Sequence, residues 1–297
     1  GCPDWPGCYG FNTVPSSEDE IRVAQQAFPD QPIEAGKAWN EMIHRYLAGL
    51  LGLIILAIFL TSIRQKRQFP LSFSIALLVI FQAFLGMLTV TLNLQPLIVM
   101  GHLLGGFAIL SLLTLLRLRL ANTSINNNQH KIKVSSIYLL AVPVLVIQIA
   151  LGGWTSANYA AIVCNEFPIC NGDWLANYSL WDALQLPPSA ESYQYGVFDT
   201  LTRMNIHISH RLWAAITFGY LCFIAISISY RTQSHHIKKL SAVLLVVLII
   251  QVLLGISNVY LQLPLLVAVA HNLVAALLLT TLITLLWFYS RHKQEAV

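Results

Sequence analysis

The chain has 297 residues, of which 56% are hydrophobic and only 10% are charged. A soluble chain carries about 25% charged residues, so this composition excludes a soluble globular protein and places most of the chain in lipid. The formal net charge of +4 is small and scattered along the sequence, which argues against nucleic-acid binding.

Seven apolar segments are each long enough to cross a bilayer as a helix of about 20 residues. The predicted spans are residues 39–63, 71–93, 97–120, 135–158, 204–230, 240–261 and 265–289. The predicted fold class is therefore an all-α polytopic membrane protein.

The connections between the spans alternate in charge. One set of loops holds most of the 17 basic residues, whereas the N-terminal segment and residues 159–203 hold most of the acidic ones. The positive-inside rule then places the basic loops in the cytoplasm and the acidic ones on the outer side. Because the loops are compact, we expect a bacterial inner (plasma) membrane rather than a mitochondrial one.

The two halves of the sequence resemble each other. A motif of the form C-x-acid-aromatic-P-x-C-x-G occurs at residues 2–10 and again at residues 164–172. Further matches at nearly constant spacing are His44-Arg45 with His210-Arg211, Gln82 with Gln251, Gly86 with Gly255, and His102 with His271. This pattern predicts a parallel duplication, with two tandem pseudo-symmetric four-helix bundles.

The second half contains four predicted helices and the first half three. We therefore expect a further helix before residue 1 that this chain lacks, the alternative being a seven-span protein with an exported N-terminus. The expected domains are an N-terminal bundle at residues 1–121, a cytoplasmic linker at 122–134 and a C-terminal bundle at 135–297.

Four histidines lie at matching depth near the outward ends of their helices, namely His44 and His102 in the first half and His210 and His271 in the second. Two imidazoles at one level across a helical bundle are the arrangement that binds haem iron axially. A zinc site would need three or four converging ligands, and a proton relay would spread ionisable groups along the depth. The pattern predicts one bis-histidine haem site in each half. His207, one turn from His210, is interpreted as a structural or supporting residue.

The remaining histidines are assigned to solvated positions in loops or in the tail; these are His130, His235, His236 and His292.

Two arginines directly follow candidate ligands. A guanidinium suits the bidentate binding of a carboxylate, so Arg45 and Arg211 are candidates for holding haem propionates. The alternative is that both side chains reach out to lipid headgroups.

Glu41 is the acidic residue that breaks the symmetry of the repeat. It precedes His44 by three residues, which places both on one helix face, and its counterpart in the second half is His207. This suggests that the first site performs chemistry, with Glu41 accepting a proton or stabilising positive charge, while the second carries electrons. A carboxylate that merely favours the helix N-terminus is the alternative.

Both cysteine pairs fall on the predicted outward side, where disulfides persist. We therefore predict the disulfides Cys2–Cys8 and Cys164–Cys170. The absence of histidine from both loops argues against a metal clip, and thiol exchange during assembly stays open.

These motifs together resemble the haem A synthase family over almost the whole chain. The resemblance rests on the paired cysteine motifs, Glu41-x-x-His44-Arg45, His210-Arg211-Leu-Trp, His102 and His271. It implies an eight-span membrane oxidoreductase that oxidises a methyl group of haem O to a formyl group in successive hydroxylations. The product, haem A, would serve haem-copper terminal oxidases.

The resemblance also implies roles for individual residues. His210 and His271 would ligate a resident haem b in the C-terminal half. His44 and His102 would line the N-terminal site where haem O is oxidised, Glu41 would be the essential acid, and the cysteine pairs would be extracytoplasmic disulfides. The implied partners are the substrate haem O, membrane lipid, an electron donor, haem O synthase and haem-copper oxidase assembly factors.

Two other functions remain open on the residues alone. The same four histidines would serve a dihaem b-type electron-transfer cytochrome, although the asymmetry at Glu41 counts against it. A haem-delivery or oxidase-assembly factor would use one histidine pair only transiently.

Overall fold

The computed structural model describes residues 1–121, 135–168, 170, 172 and 174–291. The predicted linker at 122–134, with His130, and the tail with His292 lie outside these residues. The described residues form helices and no strand, so the all-α prediction is confirmed. Seven of the helical segments are long and apolar enough to cross a membrane, which confirms the predicted number of spans.

The helices, in chain order, are α1 Glu18–Ala27, α2 Ala35–Gln65, α3 Phe69–Thr91, α4 Pro96–Ala121, α5 Ser136–Leu139, α6 Ala141–Ala157, α7 Leu180–Leu184, α8 Thr200–Arg231, α9 His235–Tyr260 and α10 Leu265–Arg291. The membrane-spanning segments are α2, α3, α4, α5 with α6, α8, α9 and α10. Their ends differ from the predicted ones by a few residues.

Local chemistry explains where two of these helices begin. Pro143 has no N–H to donate to the carbonyl of Leu139, and its ring crowds that carbonyl, which accounts for the interruption between α5 and α6. Helix α8 begins four residues earlier than predicted because the Asp199 side chain accepts a hydrogen bond from the Thr202 N–H at 2.7 Å.

The chain divides into two compact units, one of Gly1–Ile109 with Glu191–Gln194 and one of Leu110–Ala190 with Tyr195–Val297. In the second unit α6 packs on α8, α8 on α9, α9 on α10, and α10 on α6. This closed ring of contacts places α8 and α10 on a diagonal. Its buried core includes Leu221, Ile224, Leu244, Leu278 and Leu282.

In the first unit α2 packs on α3, and α3 packs on α4 where Gly101 lies against Leu85. The N-terminal segment forms a small core of its own above the first turns of α2. This core contains Cys2, Cys8, Tyr9, Val14, Ala24, Ala38 and Met42. The second unit repeats the arrangement, since Cys164 and Cys170 pack against Ile208 of α8.

The turns that follow α3 and α9 share an unusual backbone. Asn93 and Leu94 have φ angles of 49° and 66°, and their sequence counterparts Gln262 and Leu263 have angles of 56° and 61°. Non-glycine residues seldom adopt this left-handed conformation. The backbone of these two turns therefore repeats where the sequence repeats.

Candidate functional site

The first unit brings His44 of α2 and His102 of α4 together. Their ring centres lie 6.2 Å apart, and the ring planes are inclined at 82°. Two metal–nitrogen bonds of about 2 Å each, with the distance from each nitrogen to its ring centre, sum to roughly 6 Å. The spacing therefore fits one iron held between two imidazoles.

The second unit places His210 on α8 and His271 on α10, the two helices on the diagonal of the ring. Both side chains are half-buried, and they lie close enough to interact electrostatically. Among the described residues, no group of three or more His, Cys, Asp or Glu side chains is arranged to hold a metal ion. Each unit thus offers a pair of imidazoles and not a larger ligand cluster.

Three of the four histidines rest against a glycine of the preceding membrane-spanning segment. A Cβ atom built on Gly86 would lie 3.2 Å from Cε1 of His102, one on Gly152 would lie 3.1 Å from Cε1 of His210, and one on Gly255 would lie 3.2 Å from Cε1 of His271. These distances are tighter than ordinary side-chain contacts. A Cβ atom at any of these glycines would therefore require the imidazole to move by a few tenths of an ångström.

A glutamine lies one turn before each of these glycines. The side-chain nitrogen of Gln148 is 3.2 Å from Nδ1 of His210, and that of Gln251 is 3.3 Å from Nε2 of His271. In the first unit, the backbone of Gln82 interacts with the ring of His102. The sequence reveals Gln-x3-Gly three times, but sequence reasoning matched two of the copies as a repeat and missed the copy at Gln148.

Among the four candidate ligand histidines, two have a ring nitrogen without a hydrogen-bond partner within the described part of the chain. Nδ1 of His102 and Nδ1 of His271 are both buried without one. A buried polar atom of this kind is costly unless something binds it, and a metal that takes the nitrogen lone pair would satisfy it. The orphaned nitrogens, the ring spacing and the glycine contacts all fit a haem with imidazole ligands.

Arg45 binds the first cysteine loop. Its guanidinium donates to the carbonyl of Asp4 at 3.0 Å, to that of Pro6 at 3.1 Å and to that of Gly7 at 2.5 Å. It also forms an ion pair with Glu41. The guanidinium thus ties the loop to the helix turn that carries His44.

Glu41 has a partner on each of its oxygens. Oε2 accepts a hydrogen bond from the Cys2 N–H at 2.9 Å, and Oε1 accepts from Arg45. Its side chain is 28% exposed, and that of Arg45 is 14% exposed. The carboxylate is therefore held in place beside His44 by the cysteine loop and by the arginine.

The negative charge near this loop also affects Tyr9. Burial raises the pKa of the Tyr9 hydroxyl, and the nearby carboxylates of Glu34, Glu41 and Asp4 raise it further. The hydroxyl donates to the Pro32 carbonyl at 2.9 Å. Tyr9 is thus held as a neutral hydrogen-bond donor within the small N-terminal core.

Arg211 repeats the role of Arg45 in the second unit. Its guanidinium donates to the carbonyl of Glu166 at 2.7 Å and to that of Cys164 at 2.8 Å. Its Nε also donates to Nε2 of the buried His207, at 3.3 Å. His207 therefore occupies the place that Glu41 has in the first unit.

The sulfur atoms of Cys2 and Cys8 lie within bonding distance of each other, and so do those of Cys164 and Cys170. Each pair closes a loop whose backbone carbonyls accept hydrogen bonds from an arginine side chain. The structure thus brings the cysteines, Arg45, Glu41 and His44 together in the first unit. It likewise brings the cysteines, Arg211, His207 and His210 together in the second.

The fold and the site define a multi-pass helical membrane protein with paired imidazoles suited to haem. The family described as cytochrome oxidase assembly protein (COX15-CtaA) matches residues 1–283. A protein of Shewanella oneidensis named Heme A synthase is 47% identical over 100% of this chain and 89% of its own length. The Heme A synthase of Halalkalibacterium halodurans is 28% identical over 99% and 88%, and that of the Wolbachia of Brugia malayi is 26% identical over 80% and 69%.

The chain belongs to the haem A synthase family.

Proposed function

We propose that the chain oxidises a methyl group of haem O to a formyl group and so produces haem A. The observation that carries this proposal is the pair His44 and His102, with Glu41 fixed one turn away, in a chain of this family. The first unit is the oxidation site, and its counterpart in the second unit has His207 in place of the carboxylate.

The two histidine pairs divide the work. His44 and His102 bind the substrate haem O, and His210 and His271 hold a resident haem b. When bound, haem b supplies reversible one-electron transfer, which neither unit can provide from its own side chains. Gly152 and Gly255 leave room for the two imidazoles, and the side-chain nitrogens of Gln148 and Gln251 lie 3.2 and 3.3 Å from a ring nitrogen of these histidines.

Glu41 supplies a negative charge next to the bound substrate. Because Cys2 and Arg45 donate to its two oxygens, the carboxylate is held in one position rather than rotating freely. In that position it stabilises positive charge or accepts a proton as the methyl carbon is oxidised. Arg45 limits the net charge that the site must bury.

The setting of the site follows from the charge pattern of the loops. The two cysteine loops and both histidine pairs lie toward the outer face of a bacterial inner membrane, with the basic loops in the cytoplasm. In that compartment Cys2–Cys8 and Cys164–Cys170 persist as disulfides. Sulfur atoms at bonding distance in both loops support this pairing.

A substitution of the carboxylate tests the proposal. The full-length protein is produced in a host that makes haem O, and the extracted haems are identified by mass. We expect Glu41→Gln to retain haem but to accumulate haem O in place of haem A, because the amide keeps the shape of the carboxylate and loses its charge. The matched control is Glu34→Gln, at the residue before α2, which should leave the haem A yield unchanged.

Normal haem A in the Glu41→Gln variant would contradict the role given to this residue. If the unsubstituted protein holds two unmodified b haems and never converts haem O, the protein is an electron-transfer cytochrome instead.

A further inference from the structure

In each of the two Gln-x3-Gly segments of the second unit, the glutamine and the glycine both contact the same histidine. The side chains at positions i and i+4 of a helix lie on the same face. Gln148 and Gly152 on α6 therefore face His210 together, as Gln251 and Gly255 on α9 face His271. The glycine admits the ring, and the glutamine reaches one of its nitrogens.

The two glutamines of the second unit share one unsatisfied atom. Oε1 of Gln148 and Oε1 of Gln251 are buried without a partner in the described part of the chain. The oxygen and nitrogen of a side-chain amide have nearly the same size, so the hydrogen-bond network decides which of the two faces a given partner. With the amide turned over, its oxygen accepts the N–H of a neutral imidazole, and the other ring nitrogen is left for a metal.

We propose that Gln148 with Gly152, and Gln251 with Gly255, are positioning pairs that orient the axial histidines and tune the reduction potential of the haem between them. This inference rests on the proposed function, since it takes His210 and His271 as haem ligands. A hydrogen-bond acceptor on the far nitrogen of a metal-bound histidine fixes the ring and raises its basicity. A more basic axial ligand stabilises ferric over ferrous iron, so each glutamine lowers the reduction potential.

The glutamine is tested by a substitution that keeps its size. The Gln251→Met side chain fills similar space but cannot accept the imidazole proton. We expect the b haem to remain bound and its midpoint potential to shift to more positive values, with altered low-temperature electron paramagnetic resonance g-values. Gln148→Met should shift the potential in the same direction, because the two glutamines act on opposite ligands of one iron.

The role of the glycines is tested by alanine substitutions, with a glycine that has open space beside it as the control. A Cβ atom on Gly219 of α8 meets no atom within 4 Å. We expect Gly152→Ala and Gly255→Ala to lower the haem content per protein, whereas Gly219→Ala should retain the wild-type haem content and potential. Alanine stabilises helix interiors relative to glycine. If the glycines did not make room for the imidazoles, none of the three alanine variants should therefore lose haem.

Two sets of results would overturn the inference. One is an unchanged potential and spectrum in both methionine variants, and the other is equal loss of haem in Gly219→Ala and Gly255→Ala. The measurement on the unsubstituted protein separates this inference from the proposed function. A second unit that binds no b haem at all would refute the assignment of His210 and His271 as ligands, not the positioning role alone.

Discussion

Arg45 and Arg211 show which binding partners can be predicted from a residue type and which cannot. Their position after a candidate ligand predicts a carboxylate partner, and the haem propionate stays a prediction. The structure gives both guanidiniums carbonyl partners in the cysteine loops. Main-chain carbonyls carry no residue identity, so no sequence pattern could have revealed these contacts.

Replacing Arg211 by lysine tests this attachment. An ammonium lacks the planar fork that reaches the carbonyls of Glu166 and Cys164 together with His207. We expect Arg211→Lys to lose about 1.5–3 kcal/mol of local stability, as for hydrogen bonds to a charged group. Hydrogen exchange of the loop amides around Cys164 should accelerate accordingly.

The control for this variant is Arg231→Lys, at the last residue of the same helix. It should leave exchange in the loop unchanged. Equal protection of the loop in Arg211→Lys and in the unsubstituted protein would show that the guanidinium does not hold it.

At the scale of helices, the sequence predicts which segments form membrane-spanning helices better than it predicts which side chains of these helices touch. All seven spans follow from hydropathy. Matching depth on parallel helices predicts that His44 and His102 can face each other, and their ring centres lie 6.2 Å apart. The sequence repeat does not reveal the contacts of His210 with Gln148 and Gly152, because these two residues lie in a helix without a counterpart among the described residues of the first half. Only the packing of α6 on α8 brings them to the histidine.

The N-terminus of α8 gives a pH-dependent prediction. Hydrogen bonds from Thr202, chiefly from its backbone N–H, hold the pKa of the Asp199 carboxyl below its ordinary value. Since the folded pKa is lowered, the stabilisation is fully present above the unfolded pKa of about 3.9 and is lost as the pH falls through the folded pKa. We expect Asp199→Ala to cost roughly 1 kcal/mol of stability at neutral pH.

The measurement is thermal unfolding of the purified protein in detergent as a function of pH. Asp199→Asn is the matched control, since asparagine also caps helices but does not titrate in this range. The thermal stability that Asp199→Asn lacks relative to the unsubstituted protein at neutral pH should be regained on acidification, because both caps are then uncharged. A deficit that stays constant from neutral to acidic pH would exclude a titrating cap.

At the scale of the whole chain, the two halves share the same groups around their histidines and differ in the chemistry of one of them. Both units present a cysteine loop, an arginine bound to it and a histidine pair. They differ at the residue that pairs with this arginine, since Glu41 accepts from Arg45 and His207 accepts from Arg211. In the proposed function, this exchange of a carboxylate for an imidazole separates the oxidation site from the electron-transfer site.

This division predicts different losses from the two histidine pairs. His102→Ala should abolish haem A while the reduced-minus-oxidised spectrum of haem b persists, because only the substrate pair is broken. His271→Ala should remove the b spectrum and haem A together, because the oxidation site then lacks its electron path. Spectra and haem masses from the same preparations measure both effects, with His235→Ala as the control at the first residue of α9. If His102→Ala and His271→Ala lost the same pigments, the two halves would form one site and the division of labour argued from Glu41 and His207 would fail.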